Sequence, residues 1–528
     1  MCSIAHPHIE TINGDATLVV DGKPFLMRAG ETHNSTGSSL TWMSRAWDKA
    51  DELGMNTLFV AVTWELVEPQ EGVFDFSGVD ALIEQARWRG GHLALLWFGA
   101  WKNGQCMYAP EWVRSDPERF WRAEPVKGAR KMALTNFYNL PYTTLSAFCP
   151  ATRAADARAF GALMAHLREY DEYDGTVVMV QVENEVGMMG AARDHVDAAD
   201  AAYAEEVPAG LVAYMREHAD GLAPDVAAAL AAGAGQGSWE QVFGQVAEEL
   251  FQTYHTAAYV EAVAAAGKAA YPLPMVANCW LDKGHEPGRF PTGGPNARVL
   301  EIWKWAAPSL DACGPDIYVR TFCDDCDNYR KLDNPLFIPE TATHAYAAPR
   351  AIWTVGHHHA LTFSPFGFEE MGEPFDDGVG ILFGMDTSDP ALRTPQDPAQ
   401  YRAAMEGLAE LFAYAGGYGT MDAVISERGK KQTLELGDWA LDVNFGDMPG
   451  AVLALPVSAN EAYVLGVNAS FFWHSVAEGK PHCDLLACEE GCFEERAWVR
   501  DRRLNGDETT MPSFGAPTLL RLKTFCYA

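Results

Sequence analysis

Apolar and polar positions fall into blocks along this chain. Thr176-Val177-Val178-Met179-Val180 is apolar and rich in β-branched residues, the pattern of a strand buried on both faces. It gives way abruptly to Gln181-Val182-Glu183-Asn184-Glu185. The same change recurs earlier. Phe25 to Ala29 ends in Gly30-Glu31-Thr32-His33-Asn34. Asn56 to Thr63 runs into Trp64-Glu65-Leu66-Val67-Glu68-Pro69, and His92 to Phe98 into Gly99-Ala100-Trp101-Lys102-Asn103-Gly104. Between these strands the period is helical. Leu40, Met43, Trp47, Ala50 and Leu53 share a face, closed by Gly54; Val79 to Trp88 and the Ala-rich Ala151 to Tyr170 follow suit.

Strand and helix in alternation predict a parallel sheet with right-handed crossovers, either open or closed into a barrel. No GxGxxG follows an early strand, which argues against a dinucleotide-binding fold. Residues 191–270 are helical and Ala-rich, longer than one crossover requires, and read as an inserted helical subdomain. The alternation resumes at Pro274 to Trp280, Cys313 to Val319, Pro335 to Glu340 and Ala360 to Gly367, with a last helix at Gln400 to Ala415. Eight units are the count of a (β/α)8 barrel, a TIM barrel spanning 1–420. Beyond residue 420 short apolar runs (Val452-Leu453-Ala454-Leu455, Ala462 to Val467, Phe471-Phe472-Trp473, Leu519 to Leu522) lie between turn residues. They predict an antiparallel β domain over 421–528.

The 528 residues are 48% hydrophobic, enough for a large core. A formal net charge of -33 argues against nucleic acid or an anionic membrane surface as partner. Met1-Cys2-Ser3-Ile4-Ala5-His6-Pro7-His8 lacks the basic start and apolar core of a signal peptide, and no apolar stretch is long enough to span a bilayer. The 11 cysteines are odd in number and scattered, which points to a reducing compartment, so a cytoplasmic location is expected. Cys323-Asp324-Asp325-Cys326 is a lone CxxC without a second pair. His357-His358-His359 would point in different directions on a helix, so no shared metal is expected there. Neither metal nor organic cofactor is expected anywhere in the chain.

Two carboxylates stand at predicted strand ends, Glu185 after the fourth and Glu340 at the end of the seventh. Ligands of parallel barrels bind at that end. Hydrolysis of a glycosidic bond uses two such groups, one protonated as acid and one ionised as nucleophile. Glu185 is the expected acid and Glu340 the nucleophile, with Asn184 donating to a sugar hydroxyl. Glu183, two residues earlier on the same strand, is expected to point the same way and to act as a ligand or support. The aromatic and polar tips, among them Glu31, Trp64, Glu65, Trp101, Lys102, Asn103 and Tyr318, are candidates for binding substrate, since sugar rings offer apolar faces to aromatic platforms.

Gln181-Val182-Glu183-Asn184-Glu185-Val186-Gly187 resembles the acid/base motif of glycoside hydrolase family 35. Asn56-Thr57 through Thr63-Trp64-Glu65, Glu68-Pro69 and Gly72-Val73-Phe74-Asp75-Phe76 resemble that family as well. The resemblance implies a retaining (β/α)8 glycosidase with acid/base Glu185 after strand four and nucleophile Glu340 after strand seven, and Asn184 contacting the sugar. Two stretches depart from the family's common β-galactosidases. Gly30-Glu31-Thr32-His33-Asn34-Ser35 stands where they carry His-Tyr-Pro-Arg, and Trp101-Lys102-Asn103-Gly104 replaces an Ala-Glu pattern. Both resemble a bacterial branch with a C-terminal β domain of unknown function, as does Arg502-Arg503-Leu504-Asn505-Gly506-Asp507-Glu508. Asp316-Ile317-Tyr318 is similar to the neighbouring family 42. The resulting expectation is an exo-β-glycosidase acting by double displacement on a small carbohydrate, with β-D-galactosides first. β-Glucosides, β-xylosides, α-L-arabinopyranosides and a non-catalytic carbohydrate-binding barrel are the alternatives, and a homo-oligomer is compatible with its size.

Overall fold

The computed structural model describes residues 6–128, 143–282, 284–374, 380, 385 and 388–528. The N-terminal reading at Met1 to Ala5, and part of the long segment after Gly104, lie outside them. Eight parallel strands close into a barrel: β1 (Met27–Glu31), β2 (Thr57–Thr63), β3 (His92–Phe98), β4 (Val177–Val182), β5 (Met275–Trp280), β6 (Ala312–Ile317), β7 (Ile338–Thr341) and β8 (Thr362–Pro365). β8 pairs with β1 to complete the ring. Each strand leads to a helix of the outer layer: α1 (Leu40–Leu53), α2 (Ser77–Arg89), α3 (Pro150–Asp171), α4 (Ala247–Ala270), α5 (Leu300–Ala306), α6 (Phe322–Tyr329), α7 (Ala347–His358) and α8 (Pro398–Ala415). The expected (β/α)8 barrel and the antiparallel domain behind it are both present.

The continuous apolar runs reflect burial on both faces. In β2, Leu58, Val60 and Val62 pack outward with Met43, Trp47 and Ile83 of the helices, while Phe59 and Ala61 fill the interior with Ala94, Leu96, Met179 and Phe337. Each fully buried Val, Leu or Phe stabilises the fold by about 1.5–3 kcal/mol. On α1 the buried face is Met43, Ala46, Trp47, Ala50 and Leu53; Leu40, expected on that face, starts the helix and is exposed.

A further layer went unread in the sequence. His8–Ile12 and Asp15–Val20 form an antiparallel hairpin, turned by Asn13-Gly14 with positive φ at both residues. Leu18 and Val20 join the interior cluster beside Met27 and Phe337, closing the barrel end opposite the polar tips.

Between β4 and α4 run four short helices, Asp197–Tyr203, Ala209–Glu217, Pro224–Ala232 and Trp239–Phe243. α4 itself serves as the crossover helix of the barrel; its buried residues share the outer core with those of α3. After α8 come two antiparallel sheets. One has six strands in the order β9 (Asp422–Ile425), β12 (Ala451–Ser458), β13 (Glu461–Val467), β18 (Thr518–Tyr527), β15 (His482–Glu494), β16 (Ala497–Arg503). The other has four, β10 (Lys431–Glu435), β11 (Trp439–Phe445), β14 (Ala469–Ser475), β17 (Ser513–Phe514). Leu453, Leu455 and Leu465 of the large sheet pack into the core formed with the barrel helices. Val452, Ala454 and Val464 face Trp439, Leu441 and Phe471 of the small sheet. With both faces covered, β12 and β13 lose the polar alternation of a surface strand. Among the described residues no helix is long and apolar enough to cross a membrane.

Candidate active site

The polar strand ends meet at one rim of the barrel. Parallel register sets Glu340 on β7 opposite Asp316 on β6, and Asp316 opposite Trp280 on β5. Glu185 lies three residues past the end of β4. One carboxylate oxygen each from Glu185, Asp316 and Glu340 lie within 4.8 Å of one another, and all three side chains are buried. Three carboxylates at this separation are also a donor set for a cation; the buried Lys102 ammonium brings a positive charge to the same place, 3.8 Å from Glu340 Oε1.

Asn278 on β5 ties the group together. Its amide nitrogen donates to Asp316 Oδ2 at 2.8 Å and to Glu340 Oε1 at 3.3 Å, and its oxygen accepts the Glu185 backbone N–H at 2.9 Å. Glu340 receives further donors. Asn184 Nδ2 stands 3.2 Å from Oε1, and the Tyr318 hydroxyl 2.9 Å from Oε2. Burial and the neighbouring Glu340 push the Tyr318 phenol well above its ordinary range, so it stays a donor.

The segment after β3 delivers Lys102. Lys102 and Gln105 exchange backbone hydrogen bonds around Asn103-Gly104, both at positive φ, a two-residue turn of the type that Asn-Gly favours. Three bonds fasten this segment to the exit of β4: Asn184 N to Trp101 O, Gly104 N to Glu185 O, and Trp101 N to Glu183 Oε2 at 2.8 Å.

Glu183 does not accompany Glu185, contrary to the same-direction reading. β4 ends at Val182, and Glu183 and Glu185 both adopt positive φ, so strand alternation stops there. The Glu183 carboxyl meets Asp156 on α3, whose oxygens accept Trp97 Nε1 and the Tyr259 hydroxyl, each at 2.9 Å. The Ala100 backbone N–H also bears on both carboxyls, and burial raises both above the usual range. A carboxyl pair buried this deeply favours one shared proton over two anions. Gly99 lies over it: a Cβ there would come within 2.6 Å of Glu183 Oε1 and 2.7 Å of Asp156 Oδ1.

Glu31, at the end of β1, is fully buried, and neither of its carboxyl oxygens has a partner among the described residues. Burial, then Glu340, raise it well above the ordinary range; Asp316 is raised in the same direction by the same causes. For Lys102 burial alone would favour the neutral amine, but Glu340, Glu185, Glu31 and Asp316 together outweigh it and raise the ammonium. The result is a buried group of four acids and one cation, in which Glu31 and Asp316 favour their neutral forms.

Of the residues singled out from sequence, the structure brings together Glu185, Glu340, Asn184, Glu31, Lys102 and Tyr318. Trp64 stands apart. It is completely buried and donates Nε1 to Glu68 Oε2 at 2.9 Å, so it offers no face to a ligand. Glu65 faces Arg114 at 3.6 Å. Trp101 contributes its backbone, while its buried indole packs edge-on against Tyr259 at 4.5 Å. Asn103 forms the turn. Asn278 and Asp156 were not foreseen, and Asp316 was noted only within a motif. The three histidines diverge as expected, His357 to Asp422, His358 to Asp327 and His359 to Asp15. Cys323 and Cys326 are buried on α6, with burial raising both thiols.

A closed parallel barrel with buried carboxylates at the strand ends is the general class these features define. Residues 17–90 match the model of glycosyl hydrolases family 35, and residues 400–514 match a domain of unknown function, DUF5597. The resemblance read from the motifs, including the C-terminal domain of unknown function, thus holds over these two stretches; Glu185 and Glu340 lie outside both. A β-galactosidase of Xanthomonas manihotis is 41% identical over 80 residues, 15% of this chain and 13% of that protein. β-Galactosidase 11 of Arabidopsis thaliana is 30% identical over 112 residues, 20% of this chain and again 13% of that protein. Each match thus spans about one eighth of its relative. Among solved structures, a family 42 β-galactosidase from G. stearothermophilus aligns over 94% of this chain and 98% of its own, at 10% identity and a TM-score of 0.48. A β-galactosidase from Bacillus circulans covers 64% of this chain and 50% of its own, at 15% identity and a TM-score of 0.43.

Proposed function

We propose that this chain is a retaining exo-β-glycosidase with β-D-galactosides as its first substrate class. The observation that carries the reading is the approach of Glu185 and Glu340 within 4.8 Å. Retaining glycosidases hold their two carboxyl groups about 5–5.5 Å apart, inverting ones about 6.5–9.5 Å. Asn184, Asn278 and Tyr318 aim hydrogen-bond donors at Glu340 and the Lys102 ammonium stands beside it, which suits the nucleophile, and Glu185 is assigned the acid.

In the first half-reaction a Glu340 oxygen attacks the anomeric carbon while Glu185 gives its proton to the departing glycosidic oxygen. The Glu185 carboxylate then takes a proton from water, the water oxygen attacks the anomeric carbon, and Glu340 leaves as carboxylate. Glu31 Oε1 and Oε2, Asn184 Oδ1 and Asp316 Oδ1 have no partner among the described residues. Each unpaired buried polar atom costs about 1–3 kcal/mol. A polyhydroxylated ring would satisfy them, which supports a sugar as ligand. The family 35 match and the names of the two relatives favour galactose. The 11 cysteines are odd in number and scattered along the chain, which supports the cytoplasm as the place of action.

The test is a panel of nitrophenyl glycosides (β-galactoside, β-glucoside, β-xyloside, α-L-arabinopyranoside) with wild type and Glu340→Gln, with the anomer of the first-formed product followed by NMR. Turnover of the β-galactoside with retention, lost in Glu340→Gln, is expected. Sugar binding without turnover of any glycoside would overturn the reading in favour of a binding barrel, and an inverted product would overturn the mechanism.

A further inference from the structure

A cavity of about 610 Å³ opens beside the carboxylate rim, between the segment after β1 and the segment after β8. His33, Ser38, Trp42, Arg45, Glu369 and Glu370 line it. Trp42, in the first turn of α1, is 58% exposed, unusual for so large an apolar ring. The Arg45 guanidinium stands 4.9 Å from the ring centroid, a cation–π contact. The opposite wall is held firmly: Glu369 Oε1 accepts the His33 backbone N–H at 3.1 Å and the Thr36 hydroxyl at 3.0 Å. Its Oε2 is buried without a partner among the described residues. His33 Nε2 and Glu370 Oε1 stand 3.3 Å apart.

The cavity is linked to the catalytic rim by contacts between side chains. His33 packs edge-on against Phe366 at 5.4 Å, Phe366 packs with Tyr318, and Tyr318 donates to Glu340. Glu369 is also close enough to Glu31 to help raise its carboxyl.

Its chemistry selects the occupant. The volume falls within the range for small-molecule sites, about 300–1,000 Å³, and suits one or two sugar rings. Trp42 offers a flat apolar face, and Ser38, Arg45 and the two glutamates supply donors and acceptors at its edge. Two carboxylates against one guanidinium, on a chain of net charge -33, disfavour an anion.

We propose that this cavity is a second carbohydrate subsite, holding a remote neutral hexopyranose unit of an oligosaccharide, with Trp42 as its platform. The proposal rests on the glycosidase reading above. Its test compares wild type, Trp42→Ala and Trp42→Phe on a nitrophenyl monoglycoside and on a β-linked galacto-tetrasaccharide. Binding of the tetrasaccharide to Glu340→Gln and to Glu340→Gln/Trp42→Ala is measured by calorimetry.

Trp42→Ala is expected to leave kcat/KM for the monoglycoside unchanged and to raise KM for the tetrasaccharide about tenfold with little change in kcat, an effect of the size aromatic contacts give. Trp42→Phe should keep most of the affinity, and the double variant should bind the tetrasaccharide about tenfold more weakly than Glu340→Gln. Unchanged tetrasaccharide kinetics and binding in Trp42→Ala would overturn the proposal. So would equal losses on both substrates, or a change in oligomeric state alone, which would make this face a contact between copies. Should wild type hydrolyse nothing while tetrasaccharide binding still depends on Trp42, the glycosidase reading fails and the subsite stands.

Discussion

Glu183 and Glu185 are separated by one residue, yet their carboxyls serve different partners. Glu183 meets Asp156 on α3 and the backbone of Trp101, whereas Glu185 meets Glu340 and Asp316. Positive φ at both residues produces the divergence. Such a conformation costs a non-glycine residue about 1–2 kcal/mol, so the surrounding bonds must hold it in place.

Glu183 is thus a positioning residue that holds the segment carrying Lys102 through the Trp101 amide, and a proton shared with Asp156 fits its burial. Glu183→Gln keeps an acceptor for Trp101 N–H and gives Asp156 a donor, so its stability in urea should fall by no more than about 1 kcal/mol. Glu183→Ala removes the contact to Asp156, which keeps Trp97 and Tyr259, and leaves the Trp101 amide without its acceptor in a buried cavity, and should cost about 2–4 kcal/mol. Equal losses in the two variants would show that the pair shares no proton.

Asn278 holds the Glu185 backbone, Asp316 and Glu340 at once. Asn278→Ala should lower kcat on the nitrophenyl galactoside by about 100-fold, the effect of misplacing reacting groups by about an ångström. KM should change little. A variant with full kcat would show that the remaining bonds already fix the carboxylates.

The buried acids set a sign for pH dependence. Glu31 has a folded-state value raised above 4.5, so the folded state binds more protons than the unfolded chain from about there upward. Its contribution to stability is fully present below that value and is lost as pH rises through the raised one. Glu31→Gln removes this loss. Melting temperatures of wild type and variant should be similar at pH 4.5, and the variant should gain on the wild type steadily toward pH 8. A constant difference across that range would show that Glu31 is charged in the fold despite its burial.

Much of this fold is legible because barrel strands are buried on both faces. Runs such as Thr57 to Thr63 and His92 to Phe98 stay apolar until the rim, and the abrupt polar tips then mark the site end. Glu185, Glu340, Glu31, Lys102 and Tyr318 could be found this way. The N-terminal hairpin escaped because His8–Ile12 is polar and partly exposed, although Asn13-Gly14 is a strong turn signal. Asn278 escaped because it sits inside Met275–Trp280, where one amide among apolar residues carries no periodic signature. The direction of Glu183 was illegible, since nothing in Glu-Asn-Glu announces a left-handed backbone.

Trp64 shows the opposite error, a structural residue read as a platform. Trp64 and Glu68 are four residues apart on a short helical turn, a spacing at which side chains meet. Glu68, fully buried, accepts from Trp64 Nε1, from Gly72 N at 2.7 Å and from Arg158 at 2.7 Å. The family-like Trp-Glu-x-x-Glu-Pro stretch therefore builds the turn after β2 and does not touch the carboxylate group. Glu68→Ala leaves the Trp64 indole N–H and the Gly72 N–H without their acceptor, while the half-exposed Arg158 turns to solvent, and should cost about 2–4 kcal/mol in urea denaturation. Trp64→Phe, which keeps most of the packing but leaves the Glu68 oxygen short of a donor, should cost about 1–3 kcal/mol. Both variants should keep the wild-type KM for the nitrophenyl galactoside per folded molecule. A raised KM in Trp64→Phe with unchanged stability would return this tryptophan to the substrate.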